Sequence, residues 1–316
     1  MLLNRRHLRI KIMQNLYAHY TEGSGEAGKS EKALFFSIEK MHEMYLYLLT
    51  LIVEMQGAAI ERIEAGRNKQ LPTHEDLHPN TKFVTNRIIR KLVNSKNLKK
   101  AIDKSGVSWA DQRDLIKKVF KELITSDDYK EYMESEERGF DHDREYLLRF
   151  FKRHLINMEL LHEFFEEKSI FWNDDLDLVS SMTIKTLKLI KDEDDDVELL
   201  DLWNQEDTEE YDFTVLLFRK TLAFGEESDQ MISEAAKNWE LDRIAVMDMV
   251  LMKMALAEAR VFESIPLKVT LNEYIELSKY YSTPKSNGFI NGVLDQLFDR
   301  LKESGQIKKV GRGLVQ

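Results

Sequence analysis

Apolar residues recur at alternating steps of three and four along most of the chain, a spacing that predicts α-helices. The longest regular stretch is residues 31–66, with apolar positions at Leu34, Ile38, Met41, Tyr45, Leu48 and Ile52. Further helices are predicted at 81–104, 108–134, 143–169, 175–191, 211–225, 228–238, 241–262, 268–281 and 287–304. No stretch shows a convincing alternation of apolar and polar residues. The pattern therefore predicts an all-α fold.

The composition supports long helices and excludes several classes of protein. Glycine and proline number only 13 and 4 in 316 residues, while charged residues make up 32%. The absence of cysteine excludes a disulfide framework, a thiol nucleophile and a cysteine-ligated metal. No apolar run approaches the roughly 18 residues of a membrane span, and no signal-peptide pattern follows the basic N-terminus. We expect a cytoplasmic protein that does not bind membranes.

Charge is distributed unevenly around a formal net charge of -10. Residues 192–212 contain twelve acids and no base, whereas residues 82–104 contain eight bases and one acid. Because the acidic run is too polar to pack, we expect it to be a solvated, mobile linker at a domain boundary. Pro72 and Pro79 interrupt the helical pattern in a second place.

The N-terminal stretch NRRHLRIKIMQNLYAHY, residues 4–20, contains no acid. On a helix its apolar face is formed by Ile12, Met13, Leu16, Tyr17 and Tyr20. Continuing this face toward the N-terminus leads to Arg5, Arg6 and Arg9. Burying three guanidiniums without partners is very costly, so we expect this end to project beyond the core and face an anionic ligand. The alternative is that they are ordinary solvated arginines at a frayed terminus.

Four segments together resemble the NusB family of transcription antitermination factors. They are RRHLR-x-x-x-x-QNLY at residues 5–17, LDRIAVMDMVLMKMALAE at 241–258, IPLKVTLNEYIELSKYYS at 265–282 and SNGFINGVLDQL at 286–297. The resemblance covers residues 1–20 and about 211–300. Because a typical member has about half this length, it implies an all-α NusB-like helical bundle with an inserted helical region. The domains expected are 1–66 and 211–316, which form the NusB-like part, and 67–210, an insertion that ends in the acidic linker.

The resemblance implies a non-enzymatic RNA-binding function. NusB proteins bind a short single-stranded boxA element jointly with a small-subunit ribosomal protein, which acts as NusE. In the transcription elongation complex they help RNA polymerase ignore terminators, notably in ribosomal RNA operons. The family's RNA-binding positions fall on Arg5, Arg6, Arg9, Tyr17, Lys285, Ser286 and Asn287, and further candidates for RNA contact are Lys11, Arg87, Arg90 and Lys91. His7 departs from the family, which often has another arginine there. No cofactor or metal is expected.

Other interpretations stay open at the level of the sequence. The NusB scaffold can serve as a protein-interaction or ribosome-assembly module without specific RNA binding. The basic stretch at 82–104 either extends the RNA site through phosphate contacts or forms a solvated face that balances the acidic run. A measurement of RNA affinity distinguishes an RNA-binding factor from a protein-interaction or ribosome-assembly module.

Two motifs raise alternatives of another class. GSGEAGKS, residues 23–30, matches the phosphate-binding pattern G-x-x-x-x-G-K-[ST] at Gly23, Gly28, Lys29 and Ser30, which would make the chain a nucleotide hydrolase. That loop must follow a strand, yet NLYAHYTE predicts a helix. Glu39-x-x-His42 and Glu159-x-x-His162 have the spacing of a helical di-iron site, but Glu39 lies off its apolar stripe. Both alternatives are therefore disfavoured.

Overall fold

A computed structural model describes residues 3–23, 26–201, 203, 208–238 and 244–314. These residues form fifteen α-helices and short 3-10 turns and contain no β-strand, which confirms the all-α fold. The helices are α1 (Arg5–Glu22), α2 (Ala27–Arg67), α3 (His74–Leu77), α4 (Arg87–Asn94), α5 (Lys96–Ser105), α6 (Arg113–Thr125), α7 (Asp127–Glu134), α8 (Phe140–Arg153), α9 (Glu159–Lys168), α10 (Leu176–Leu189), α11 (Thr208–Ala223), α12 (Gly225–Ala235), α13 (Val246–Val261), α14 (Leu267–Tyr281) and α15 (Ser286–Glu303).

Three of the predicted helices are each divided into two. The stretch 143–169 contains α8 and α9, which are separated by a 3-10 turn at Leu155–Asn157. In the other two a serine begins the second helix. The stretch 81–104 contains α4 and α5, because the Ser95 side chain accepts the backbone N–H of Leu98 and begins a new helix. Ser126 does the same for α7 through the backbone N–H of Tyr129, and so divides the stretch 108–134. The apolar period continues through both breaks, so it could not show them.

The chain divides into two compact units. The first contains the described parts of Leu3–Ile38 and Trp203–Gln316, and the second contains those of Glu39–Leu202. Helix α2 begins in the first unit and ends in the second. The domain limits expected at residues 66 and 210 stay predictions.

Helix α13 is the centre of the first unit. It packs against α1, α11, α12, α14 and α15. Its apolar side chains Leu251, Met252, Met254 and Leu256 are buried, together with Leu8, Ile12 and Leu16 of α1. The two ends of the sequence therefore share one core, and α1 is held against the C-terminal helices.

An aromatic cluster forms part of the core of the second unit. The rings of Tyr47 and Trp109 meet edge to face with centroids 5.1 Å apart, and Trp109 stacks on Phe164 at 4.8 Å. The indole N–H of Trp109 donates to the hydroxyl of Thr50 at 3.0 Å, so this buried polar group is satisfied. These contacts join α2 to α9 and to the turn before α6.

The expected solvated linker is wrong for the first part of the acidic run. Asp192 forms an ion pair with Arg87 at 3.2 Å, and the Lys91 ammonium donates to the carbonyls of Asp192 and Asp194 at 2.8 and 2.7 Å. Asp196 accepts the first two backbone N–H groups of α5 at 3.2 Å each, where a helix favours negative charge. Residues 202 and 204–207 of the run lie outside the described residues. In the described part, the basic stretch thus balances acids of the run.

Helix α2 contains the one candidate membrane span among the described residues. Contrary to the expectation from the sequence, it is long and apolar enough to cross a membrane by length and composition. Of its candidate window, 67% is buried inside the protein, which is the environment of a core helix.

Candidate nucleic-acid interface

Helix α1 begins with an unusual combination of a strong cap and cationic residues. The Asn4 side chain accepts the backbone N–H groups of Arg6 and His7 at 3.0 and 3.2 Å, and the Asn4 N–H donates to His7 Nδ1 at 3.4 Å. The first turn contains no acid. Because the N-terminus of a helix carries partial positive charge, arginines there are favourable only if anions lie nearby.

Arg9 lies in the core, with only 4% of its side chain exposed. Its Nε and Nη2 donate to the two carboxylate oxygens of Glu258 at 2.7 and 2.8 Å. The same carboxylate accepts the hydroxyls of Thr270 and Tyr274 at 2.8 and 3.0 Å. Burial alone would lower the pKa of Arg9, but the hydrogen bonds and charge of Glu258 raise it, so the guanidinium is charged. The expectation that all three arginines project beyond the core is therefore wrong for Arg9.

Arg5 and Arg6 are more accessible, with 30% and 51% of their side chains exposed. Arg6 forms a two-pronged ion pair with Glu273, whose oxygens accept from Nε and Nη2 at 2.9 and 2.7 Å. The hydrogen bond from Arg6 lowers the pKa of Glu273 below its usual value. Arg5 pairs with Glu209, whose side chain is 75% exposed, and Arg5 Nε lies 3.7 Å from Glu210.

The ring of Phe213, on α11, supports two of the arginines. The Cζ atoms of Arg5 and Arg9 lie 5.2 and 5.3 Å from its centroid, within the range of a cation–π interaction. Phe213 is buried and in turn contacts Phe262, with ring centroids 4.9 Å apart. The positions of the guanidiniums are thus fixed by an aromatic ring as well as by carboxylates.

The three arginines line one open cavity of about 660 Å³, which we call the arginine cavity. Its remaining walls are Asn4, Ser264, Ile265, Pro266, Val269 and Glu273. Exposed guanidinium edges beside apolar walls can bind phosphate and stack on an unpaired base. Glu273 was visible in the sequence motif at 265–282, but nothing in the sequence showed that it faces Arg6.

The structure places two of the predicted RNA-contact residues, Tyr17 and Lys11, in opposite environments. Tyr17 is 39% exposed, so the predicted apolar face is wrong at this position, and Leu8 lies in the core instead. Lys11 is only 3% exposed and has an interaction partner. An exposed tyrosine is available for stacking, whereas a buried and partnered lysine is not.

The turn before α15 separates its three predicted residues. Lys285 is exposed and Asn287 is partly exposed, but Ser286 is buried and its hydroxyl donates to Asp248 at 2.8 Å. Ser282 donates to the other oxygen of the same carboxylate at 2.5 Å. Ser286 therefore holds the turn in place while its neighbours face outward.

Arg87, Arg90 and Lys91 lie in the second unit. They line a cavity of about 320 Å³ together with Asp192, Asp194, Asp195 and Asp196. Arg87 and Lys91 bond to the acidic run as described above. An anionic ligand at this place would have to displace the carboxylates of the chain itself.

The structure does not support the two alternatives of another class. In the described residues the P-loop candidate begins at the end of α1, its Gly28, Lys29 and Ser30 lie in the first turn of α2, and no strand precedes it; Ser24 and Gly25 lie outside those residues. Gly23 ends α1 with a φ of 66°, Lys29 pairs with Glu26 at 3.1 Å, and Ser30 bonds His19 at 2.8 Å. His162 bonds the carbonyl of Ile156 at 2.7 Å, and the described part of the chain contains no cluster of metal-ligating side chains.

Comparisons with known proteins match the C-terminal part of the chain, from α10 onward. The NusB family model matches residues 176–299. A transcription antitermination protein NusB of Salinibacter ruber is 46% identical over 110 residues, which are 35% of this chain and 69% of that relative. The chain belongs to the NusB family.

Other NusB proteins are also similar to this chain, and each of these similarities covers about a third of it. That of Chloroherpeton thalassium is 41% identical over 104 residues, 33% of this chain and 49% of its own length. That of Natranaerobius thermophilus is 33% identical over 94 residues, 30% of this chain and 68% of its own. No solved structure matches this chain. The family match begins at α10 and so does not include Arg5, Arg6 or Arg9.

Proposed function

We propose that this NusB-family protein is a non-enzymatic, cytoplasmic RNA-binding factor of transcription antitermination. It binds single-stranded boxA-type RNA in the arginine cavity, together with a small-subunit ribosomal protein that acts as NusE. The complex joins the transcription elongation complex, notably on ribosomal RNA operons. The observation that carries the proposal is an open cavity in which Arg5 and Arg6 present exposed guanidinium surface on a NusB-family scaffold.

Carboxylates hold the arginines ready for phosphate. Glu273 binds Arg6 through two parallel hydrogen bonds, and a phosphate group offers two oxygens in nearly the same geometry. Glu209, which is mostly exposed, releases Arg5 at low cost because exposed ion pairs contribute little. RNA phosphates therefore replace the carboxylates that bind Arg5 and Arg6. Arg9 stays bonded to Glu258 and acts as a positioning residue for this end of α1.

Further contacts come from side chains that the structure leaves accessible. Tyr17 provides a ring for stacking, and Lys285 and Asn287 provide polar contacts. Ser286 positions this turn through Asp248. Lys11, Arg87, Arg90 and Lys91 are not part of the proposal, because Lys11 is buried and the other three lie among acids.

Helix α14 offers apolar surface for the ribosomal protein. Val269 and Tyr280 are 44% and 80% exposed, and Val269 also lines the arginine cavity. Large exposed apolar side chains beside charged residues are typical of protein interfaces. RNA and protein partner would then lie on adjacent parts of the first unit. The alternative function, a protein-interaction or ribosome-assembly module, keeps this apolar surface without specific RNA affinity.

RNA binding by a double variant tests the proposal. Arg5→Ala/Arg6→Ala should weaken binding of boxA-type RNA, with and without the ribosomal protein. It should also make the slope of log affinity against log salt shallower by roughly 1.4, since each lost phosphate contact contributes about 0.7 to that slope. Arg67→Ala/Arg113→Ala removes the same charge in α2 and α6 and should bind as wild type does. Equal affinities of wild type and the Arg5/Arg6 variant would contradict the proposal. Weak binding that ignores RNA sequence would favour the alternative function.

A further inference from the structure

The last turn of α15 and the residues that follow it form a basic C-terminal segment, although the whole chain is acidic. Residues 300–312 contain five bases, Arg300, Lys302, Lys308, Lys309 and Arg312, and one acid, Glu303. The formal net charge of the chain is -10. A local excess of positive charge attracts a polyanion electrostatically.

This segment folds back onto the turn that follows α13. The Lys309 ammonium donates to the carbonyl of Phe262 at 2.9 Å, and the Val310 N–H donates to the carbonyl of Glu263 at 3.1 Å. At Gly313 the backbone comes so close that a Cβ atom would lie 2.0 Å from the Glu263 carbonyl oxygen. Only glycine fits there, so the segment has a specific docked position.

The docked segment closes a second cavity, of about 180 Å³, which we call the lysine cavity. Three cations line it: Lys268 of α14, Lys302 of α15, and Lys309. Its apolar walls include Leu267, Ile307 and Leu314. Cations beside apolar side chains suit a ligand with both phosphates and flat rings.

The cations of the lysine cavity are available to a ligand. Lys268 and Lys302 are exposed, and in the described part of the chain neither has a carboxylate partner. The acids that act on Lys309 are Glu258, which is bonded to Arg9, and Glu263. Burial lowers the pKa of Lys309 to about 8, so most of it is charged at neutral pH. The lysine cavity is thus lined by three cations, and no carboxylate is among its lining residues.

The first turn of α14 separates the lysine cavity from the arginine cavity. Pro266 and Val269 line the arginine cavity, and Leu267 and Lys268, which lie between them in the sequence, line the lysine cavity. Both cavities belong to the first unit. A chain that leaves one cavity therefore has to cross only a single helical turn to reach the other.

We propose that single-stranded RNA bound in the arginine cavity continues into the lysine cavity, where its phosphates contact Lys268, Lys302 and Lys309 and a base packs on Ile307 and Leu314. The inference rests on the proposed function, because it extends the same RNA. It assigns the C-terminal segment a role in affinity that is independent of the boxA sequence, since phosphate contacts carry no sequence information.

RNA length and a charge-matched pair of variants test this inference. The probes are a short boxA-type RNA and two versions extended by about six nucleotides at the 5′ or the 3′ end. One extension should raise the affinity of wild type, and Lys268→Gln/Lys302→Gln, which keeps only Lys309, should remove most of that gain while leaving the short RNA unaffected. Between about 50 and 200 mM salt, the gain in wild type should fall roughly eighteenfold, as expected for three phosphate contacts. Lys32→Gln/Lys237→Gln removes two exposed lysines elsewhere in the first unit and should keep the gain.

The outcomes separate this inference from the proposed function. If wild type gains nothing from either extension, or if Lys268→Gln/Lys302→Gln keeps the full gain, the inference is overturned. If Arg5→Ala/Arg6→Ala binds the short RNA as tightly as wild type does, the proposed site fails instead. Equal thermal melting by circular dichroism should show that each variant is folded.

Discussion

Arg6 and Arg9 are the same residue type three positions apart, yet their surroundings give them different roles. Arg9 is 4% exposed and shares Glu258 with two buried hydroxyls, whereas Arg6 is 51% exposed and pairs with Glu273 at the rim of the cavity. A buried charge that loses its partner keeps its full desolvation cost, while an exposed pair contributes little. Arg9 should therefore determine stability and Arg6 should determine binding.

Arg9→Ala should lower the free energy of unfolding by about 3–5 kcal/mol, because it leaves the Glu258 carboxylate buried without its cation. Arg6→Ala should change it by less than about 1 kcal/mol. Urea unfolding followed by circular dichroism measures both. Arg9→Met/Glu258→Gln, which removes both charges, should recover part of the loss. Equal costs for Arg6→Ala and Arg9→Ala would refute this division of roles.

Lys309 should make stability depend on pH in the alkaline range. Burial lowers its pKa from an ordinary value of 10.5 to about 8 in the folded chain. Between these values the unfolded chain binds more protons than the folded chain, so the contribution of Lys309 to stability rises with pH from about 8 to 10.5. Unfolding free energies at several pH values should show this rise in wild type relative to Lys309→Met. Parallel curves for the two proteins would contradict it.

At the scale of elements, capping residues decide where the helices begin. Asn86 is 1% exposed; its side chain accepts the backbone N–H groups of Ile88 and Ile89 at 3.0 and 3.1 Å and donates to the carbonyl of Asp143 at 3.1 Å. One buried amide thus begins α4 and joins it to α8.

Asn86→Ala should lower the free energy of unfolding by about 2 kcal/mol, since it removes a helix cap and the buried hydrogen bond to the Asp143 carbonyl. Asn94→Ala, at the exposed end of the same helix, is the matched control and should change stability little. Chemical denaturation of both variants gives the comparison. A loss at Asn86 no larger than that at Asn94 would argue against the capping role.

The sequence predicts the helices better than the site. The helical spacing of Leu34, Ile38 and Met41 involves residues that are close together in the sequence. It therefore predicted the long helix, which the structure extends to Ala27–Arg67. Ser95 and Ser126 were visible as N-cap residues, but a cap signal competes with an unbroken apolar period. The pairing of Arg9 with Glu258 joins residues 249 positions apart, which no local pattern encodes. The arginines could therefore be found from the local charge pattern and the family motif, whereas their carboxylate partners required the fold.

At the scale of the whole molecule, RNA must be attracted by local cations against a net charge of -10. The field of the whole chain does not favour a polyanion, so we expect modest affinity from the protein alone. A partner that binds beside the cavity can add the missing contacts. If RNA and the ribosomal protein bind the first unit side by side, each should raise the affinity of the other by the same factor.

Titration calorimetry in both orders of addition should measure that factor. We expect a value of at least about 5, within the usual range of coupling between two sites. Arg5→Ala/Arg6→Ala should reduce it toward 1, while the affinity for the ribosomal protein alone stays the same. A factor of 1 in wild type would mean that the two partners bind independently.

A double-mutant cycle in RNA affinity should show whether RNA phosphate replaces the carboxylate of Glu273 at Arg6. Glu273→Gln removes the competing charge and should raise affinity for boxA-type RNA in the wild-type background. In the Arg6→Ala background the same substitution should have a much smaller effect, because the other guanidinium near Glu273, that of Arg9 at 3.5 Å, is buried and stays bonded to Glu258. An equal effect of Glu273→Gln in both backgrounds, or no effect in either, would contradict the exchange.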